Sequence, residues 1–157
     1  MSTIRWQCQQ FSELSTIELY KILQLRNAVF VVEQDCVYQD CDGKDFSAWH
    51  ASGWVDDELI AYCRILPPGL SYPDAASIGR VLTASHARKQ QAGKKLISYS
   101  IKNLYRLFGK AKITISAQLY LKRFYESFHF VQNGEIYQED NIEHIQMIRA
   151  KGKAKMQ

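Results

Sequence analysis

Basic and amide side chains surround one glycine at a point where a predicted strand leads into a predicted helix. Residues 76–83 before it are aliphatic and β-branched, and the residues after it repeat apolar side chains at helical spacing. Such a turn directs unpaired backbone N–H groups and the positive end of a helix at one point, which favours a phosphate or pyrophosphate ligand. The alternative is an ordinary solvated basic surface. The turn consists of Arg88, Lys89, Gln90, Gln91, Ala92, Gly93 and Lys94.

Apolar periodicity predicts the strands and helices that must position this turn. A capping box, Ser15 with Glu18, begins the first helix. Predicted strands cover residues 3–8, 50–55, 58–66, 76–83, 112–117, 130–137 and 144–149, and predicted helices cover residues 15–30, 85–108 and 119–128. The order β-α-β-β-β-α-β-α-β-β predicts an α/β (α+β) domain with a mixed sheet and helices on its faces. We expect one domain over residues 1–150 and a flexible basic tail over residues 151–157, the solvated basic end starting near Arg149.

Composition narrows the class of protein. The chain has 157 residues, of which 46% are hydrophobic and 23% charged, as in ordinary globular proteins. It lacks a run of about 18 apolar residues, a secretion signal and any nucleic-acid-binding module. We therefore expect a cytoplasmic protein that binds neither membrane nor nucleic acid. Reduced thiols are the default for its four cysteines, and the spacing of Cys36, Cys41 and His50 is too weak to predict a metal site.

Two motifs and several longer blocks resemble one protein family. Residues 88–93 resemble the acyl-CoA motif of the GNAT acetyltransferases, Arg/Gln-x-x-Gly-x-Gly/Ala, with Gln91 replacing the first glycine. Residues 124–130 look like the family's second motif, with His129 where glycine is usual. The ElaA-like branch is resembled by residues 25–34, 38–40, 42–43, 78–81 and 137–140, together with His144 and Met147, with Val37 in place of a proline. This resemblance covers nearly the whole chain and implies a GNAT-like, mostly antiparallel central sheet with helices on both faces.

The resemblance also implies acyl transfer from acetyl-CoA, by direct attack, to an amine of an unidentified small-molecule or peptide acceptor. Tyr125 falls on the tyrosine that many members use as a general acid, although its place in an apolar stripe also fits a core residue. The residues expected to bind CoA are Val81, Leu82, Thr83, Arg88, Lys89, Gln90, Gln91, Ala92, Gly93, Lys94 and Gln118.

Acidic, basic and histidine side chains elsewhere are candidates for acceptor binding and for a general base. Spacing singles out no base, and we expect the catalytic set to be Tyr125, His144 and Glu33. Arg64 and Arg80 interrupt apolar strands, so each needs a carboxylate from Glu33 or from the acidic loop at residues 35–47. A structural ion-pair network and a pocket for a polar acceptor both explain them. The expected substrate-binding residues are Arg26, Phe30, Asp42, His50, Arg64 and Arg80.

Two other functions remain open on the sequence. Several of the same acidic and basic residues resemble the substrate site of acyl-homoserine-lactone synthases, but the tryptophan expected shortly after Phe30 is missing. A non-catalytic acyl-CoA-binding module is the third reading, since glycine is replaced at Gln91 and at His129. An exposed edge strand from Phe130 onward could also support a homodimer.

Overall fold

The computed structural model describes residues 3–152, which form eight strands and three α-helices. Among those residues, no helix is both long and apolar enough to cross a bilayer. The strands are β1 Arg5–Gln10, β2 Trp49–Val55, β3 Glu58–Leu66, β4 Ser77–Thr83, β5 Ile113–Gln118, β6 Val131–Gln132, β7 Tyr137–Glu139 and β8 Ile142–Arg149. The α-helices are α1 Thr16–Arg26, α2 Ala92–Phe108 and α3 Lys122–Glu126.

Two antiparallel sheets divide the strands. One has the order β1-β2-β3-β4, and the other has the order β5-β8-β6, with β7 also paired to β8. A parallel bridge between Ala76 and Ile113 joins the sheets just before β4 and at the start of β5. Two hydrogen bonds of 2.9 Å hold this junction, from the Ala76 N–H to the Lys112 carbonyl and from the Thr114 N–H to the Ala76 carbonyl. Beyond it, β4 pairs with β3 alone and the sheets diverge, which opens a cleft.

Helices cover both faces of the first sheet, as the sequence predicted. Helix α2 is strongly amphipathic, and its buried side chains, including Leu96, Ile101 and Leu104, join the larger core. On the other face, Ile22 of α1 packs in a smaller core with Tyr62 of β3. The fold class expected from the sequence is therefore confirmed.

Local predictions held best where a cap or a clear period marks the chain. Helix α1 begins at the predicted capping box, in which the Glu18 N–H donates to Ser15 Oγ at 3.0 Å and the Ser15 N–H donates to Glu18 Oε1 at 2.8 Å. After Arg26 the chain continues as a π-helix, Asn27–Glu33, a change of hydrogen-bond pitch that periodicity did not predict.

The end of the chain differs from the prediction. The strand expected over residues 130–137 is broken into β6 and β7, and Gly134 between them has φ +91°. Arg149, expected in a solvated basic end, is fully buried at the end of β8. Its Nε donates to the Phe128 carbonyl at 2.9 Å, and its guanidinium lies 5.3 Å from the centre of the Tyr105 ring. Residues 153–157 of the expected tail lie outside the described residues.

Candidate functional site

A cavity of about 1080 Å³ occupies the cleft between the two sheets. Strands β4 and β5, the π-helix, the first turn of α2 and helix α3 contribute to its walls. The expected site residues that line it are Phe30, Glu33, Asp42, Arg64, Arg80, Val81, Leu82, Thr83, Arg88, Gln91, Gly93, Lys94, Gln118, Tyr125 and His144. Five other expected site residues do not line it, namely Arg26, His50, Lys89, Gln90 and Ala92.

One end of the cavity is the N-terminus of α2. A 3₁₀ turn, Ser85–Gln90, leads into it, and Gln91 then takes a left-handed conformation before α2 begins at Ala92. The first helical hydrogen bond of α2 runs from the Lys95 N–H to the Gln91 carbonyl at 3.1 Å. The preceding N–H groups of the first turn therefore have no acceptor within the helix, and they lie at its positive end. This arrangement suits a diphosphate.

The two positions where the family motifs have glycine keep a backbone that favours glycine. Gln91 has φ +57° and His129 has φ +69°. For a residue with a Cβ, such a conformation costs about 1–2 kcal/mol. The turn geometry is thus retained without glycine, and Gln91 lines the cavity.

Strand β4 is the edge of its sheet on the cavity side. Its pairing with β3 shifts register between Tyr62 and Arg64, and Arg80 opposite this shift has φ +50°. This bulge separates Gly79 from the stretch Val81 to Thr83, which lines the cavity beside α2. Main-chain groups of an edge strand can pair with an amide-containing ligand.

Tyr125 of α3 is 5% exposed and packs edge-on against Phe124 and Phe130. Burial raises the pKa of its phenol well above the usual range, so the hydroxyl stays protonated at neutral pH. Among residues 3–152, no protein group makes a hydrogen bond to this hydroxyl, and Tyr125 contributes to the cavity wall. The hydroxyl can therefore donate its hydrogen bond to a ligand.

The arginines in β3 and β4 find the carboxylates of the acidic loop, as the sequence predicted. Arg64 binds Asp42 at 2.6 Å and Asp45 at 3.1 Å. Arg80 binds Asp40 at 2.7 Å and approaches Asp42 at 3.6 Å. The hydrogen bond from Arg64 holds the pKa of Asp42 well below its usual range. Asp42 is therefore ionised and committed to the network at neutral pH.

Two expected substrate-binding residues are buried beneath this network. Arg26 is fully buried and binds Asp40 at 2.7 Å and Asp45 at 2.8 Å. His50 is 1% exposed; its Nε2 lies 3.0 Å from the Asp45 carbonyl and its Nδ1 lies 2.7 Å from the Tyr62 hydroxyl. Since a carbonyl only accepts, Nε2 carries the proton and Nδ1 accepts from Tyr62. Burial lowers the pKa of His50. Arg26 therefore joins the acidic loop to α1, and His50 joins it to β2.

Glu33 lies at the α2 end of the cavity. Its Oε1 is 2.7 Å from Arg88 Nη1, and each side chain is about 40% exposed. The hydrogen bond from Arg88 lowers the pKa of Glu33. Because Glu33 is paired with the basic turn, we do not propose it as the general base.

His144 lies in a hydrogen-bonded cluster at the wall formed by β5, β7 and β8. Its Nδ1 donates to the Ile142 carbonyl at 2.7 Å, and its Nε2 is 3.2 Å from Glu139 Oε2. Ser116 donates to the same Glu139 oxygen at 3.2 Å and is also hydrogen-bonded to the Tyr137 hydroxyl. Tyr137 stacks on the His144 ring at 6.0 Å, in line with their pairing across β7 and β8. The sequence did not predict Ser116, Glu139 and Tyr137 as site residues, because their approach depends on strand register.

Comparison with known proteins agrees with this architecture. A family model for the acetyltransferase (GNAT) domain matches residues 22–151. ElaA of Escherichia coli K12 is 43% identical over 148 residues, covering 93% of this chain and 96% of that protein. Its crystal structure has a TM-score of 0.88 at 42% identity, covering 94% of this chain and 99% of that chain. An acyl-CoA N-acyltransferase from Pseudomonas aeruginosa has a TM-score of 0.90 at 40% identity, covering 94% of this chain and 100% of that chain.

The diverging sheets, the helix N-terminus at the cleft and these matches define an acyltransferase that uses acyl-CoA. The chain belongs to the GNAT acetyltransferase family, and its relatives place it in the ElaA-like branch. It is thus an N-acetyltransferase by class. The acyl-homoserine-lactone synthase LasI has a TM-score of 0.69 at 14% identity, covering 94% of this chain and 90% of that chain, and shares the fold alone.

Proposed function

We propose that this protein transfers the acetyl group of acetyl-CoA to a primary amine of a small molecule or peptide by direct attack. The observation that carries the proposal is one continuous cavity that joins the N-terminus of α2, the free edge of β4 and the buried phenol of Tyr125. No enzyme nucleophile is needed for direct attack.

The walls of the cavity suit the parts of the donor. The N–H groups of Gly93 and Lys94 would bind the diphosphate, with Lys94 adding positive charge. The edge of β4 from Val81 to Thr83 would pair with the amide-rich pantetheine arm, and a main-chain N–H near Leu82 would stabilise the oxyanion. Acetyl-CoA supplies the acyl group already activated as a thioester.

Two side chains would move the protons. The amine nitrogen forms a bond to the acyl carbon, and the carbon–sulfur bond breaks. His144 would take the proton of the amine at Nε2, where Glu139 at 3.2 Å stabilises the resulting imidazolium. Tyr125 would donate its proton or hydrogen bond to the departing thiolate, because its hydroxyl is protonated and lacks a partner among residues 3–152.

Calorimetry with CoA and acetyl-CoA, followed by mass spectrometry of a panel of primary amines incubated with acetyl-CoA, tests this function. We expect saturable CoA binding and products heavier by one acetyl group. Tight CoA binding with no product from any amine would favour a non-catalytic acyl-CoA-binding module. A product formed only from an acyl carrier protein and S-adenosylmethionine would favour acyl-homoserine-lactone synthesis.

A further inference from the structure

Lys44 lies at the end of the cavity opposite the N-terminus of α2. It lines the cavity together with Ser71 and Tyr72, which precede β4, whereas Thr83 at the other end of β4 adjoins α2. Six residue steps along β4 at about 3.3 Å each separate these ends by about 20 Å. The donor diphosphate and Lys44 therefore belong to different parts of the cavity.

Among the residues that the structure describes, no carboxylate neutralises the charge of Lys44. Its Nζ donates to Ser71 Oγ at 3.0 Å, and within residues 3–152 it forms no ion pair with a carboxylate. The neighbouring arginines differ, because Arg64 and Arg80 are both held by aspartates at 2.6–2.7 Å. Lys44 is thus available to a ligand anion, while the arginines are committed to the fold.

The proposed general base lines the same cavity. Glu139 and His144 line the cavity with Lys44 and Tyr72. The register places the pair along the cavity: His144 pairs with Gln118, five residue steps along β5 from the Ala76–Ile113 bridge, whereas Tyr72 is bridged to Ala75 next to that junction. Lys44 and the carboxylate–histidine pair therefore line one cavity, and the pair lies closer to the N-terminus of α2 than Lys44 does.

We propose that the acceptor carries an anionic group, a carboxylate or a phosphate, in addition to its amine. Lys44 and Ser71 bind the anionic group, and the amine then lies at the Glu139–His144 pair. This inference rests on the proposed acetyl transfer to an amine and adds the chemical class of the acceptor.

Matched amines with and without an anionic group test the inference. The pairs are 4-aminobutyrate with n-butylamine and O-phosphoethanolamine with ethanolamine, and thiol release from acetyl-CoA gives kcat/KM for each. We expect the anionic member of at least one pair to be favoured about tenfold or more, the value of one charge-assisted hydrogen bond. The pair that shows the preference tells whether a carboxylate or a phosphate is bound.

The variant Lys44→Met should lower this preference to within about twofold and leave the Kd for acetyl-CoA unchanged. Lys110→Met, an exposed lysine outside the cavity, is the control and should keep the preference. Equal kcat/KM for both members of each pair in the unmodified protein overturns the inference but not the proposed function. If no amine is a substrate, calorimetry of 4-aminobutyrate and O-phosphoethanolamine on CoA-saturated protein decides, and the absence of Lys44-dependent binding overturns the inference.

Discussion

The hydroxyl of Tyr125 is the only polar atom of a side chain that otherwise packs among aromatic rings. Replacing Tyr125 by Phe keeps that packing and removes the proton donor. We expect kcat to fall about 100-fold, in the usual range for general acid catalysis, with little change in the Kd for acetyl-CoA. Steady-state kinetics and calorimetry measure the two quantities. Tyr20→Phe, on the exposed surface of α1, is the control, and an unchanged kcat in Tyr125→Phe would remove Tyr125 from the mechanism.

His144 differs from the other histidines in combining a carboxylate partner with a place in the cavity wall. The variant His144→Gln removes the proton acceptor, and we expect kcat/KM for the amine to fall about 100-fold at neutral pH. The loss should shrink at higher pH, because more of the amine is then already deprotonated. A pH–rate profile measures this. His86→Gln, at an exposed ion pair with Glu58, is the control, and a uniform loss at every pH would indicate a structural role.

The π-helix Asn27–Glu33 forms a wall of the cavity. The π-helix and the residue that follows it contact the turn after β4 and strand β5. Glu33 pairs with Arg88 on the turn after β4, and Gln34 accepts from Gln118 of β5 at 3.4 Å. If the donor diphosphate binds at the basic turn as proposed, Glu33 would compete with it for Arg88. The negative charge of Glu33 would then oppose donor binding.

Replacing Glu33 by Gln should release Arg88 and remove a negative charge near the diphosphate site. We expect the Kd for CoA to fall about two- to fivefold, since an exposed ion pair contributes at most about 1 kcal/mol. The gain should shrink as ionic strength rises. Calorimetry at low and high salt measures it, with the exposed Glu135→Gln as control. Weaker CoA binding by Glu33→Gln would show that Glu33 supports the site instead.

The acidic loop at residues 35–47 is fixed to the rest of the molecule by buried charge. The hydrogen bond from Arg64 lowers the pKa of Asp42; burial opposes ionisation of Asp45, but Arg26 and Arg64 outweigh it and lower that pKa too. A carboxylate with a lowered folded-state pKa stabilises the fold above its unfolded pKa, and this stabilisation is lost as pH falls through the folded value. The lowered pKa of His50 also destabilises the fold in acid. Below about pH 6.5 the unfolded chain binds a proton at this imidazole, which the folded chain does not yet bind.

Thermal stability should therefore decrease on acidification in two stages. We expect a small fall in Tm below about pH 6.5 from His50, and a further fall of about 5 °C between pH 5 and pH 3 from the carboxylates. Calorimetric scans from pH 8 to pH 3 measure both. Asp42→Asn should be less stable at neutral pH and should lose less Tm below pH 5. A Tm independent of pH over this range would contradict the assignment of these charges.

Local sequence patterns were enough to predict the order of the strands and α-helices up to α3, the Ser15–Glu18 cap and the basic turn at α2. Each depends on residues a few positions apart, where spacing and capping chemistry act directly. The arginines in β3 and β4 could also be matched to the acidic loop, because a charge in an apolar strand requires a counter-charge.

Contacts between segments that are far apart in the chain determined the rest of the candidate site. The divergence of the sheets after the Ala76–Ile113 bridge made the cavity, and it separated Arg26 and His50, which are buried beneath the network, from Arg64 and Arg80 at the wall. Strand register placed Glu139 against His144. Such contacts join segments far apart in the chain, and shifting a strand by one residue would turn the same side chains to the opposite face. The sequence therefore determines which chemical groups are present, and the packing of distant strands determines which of these groups come into contact.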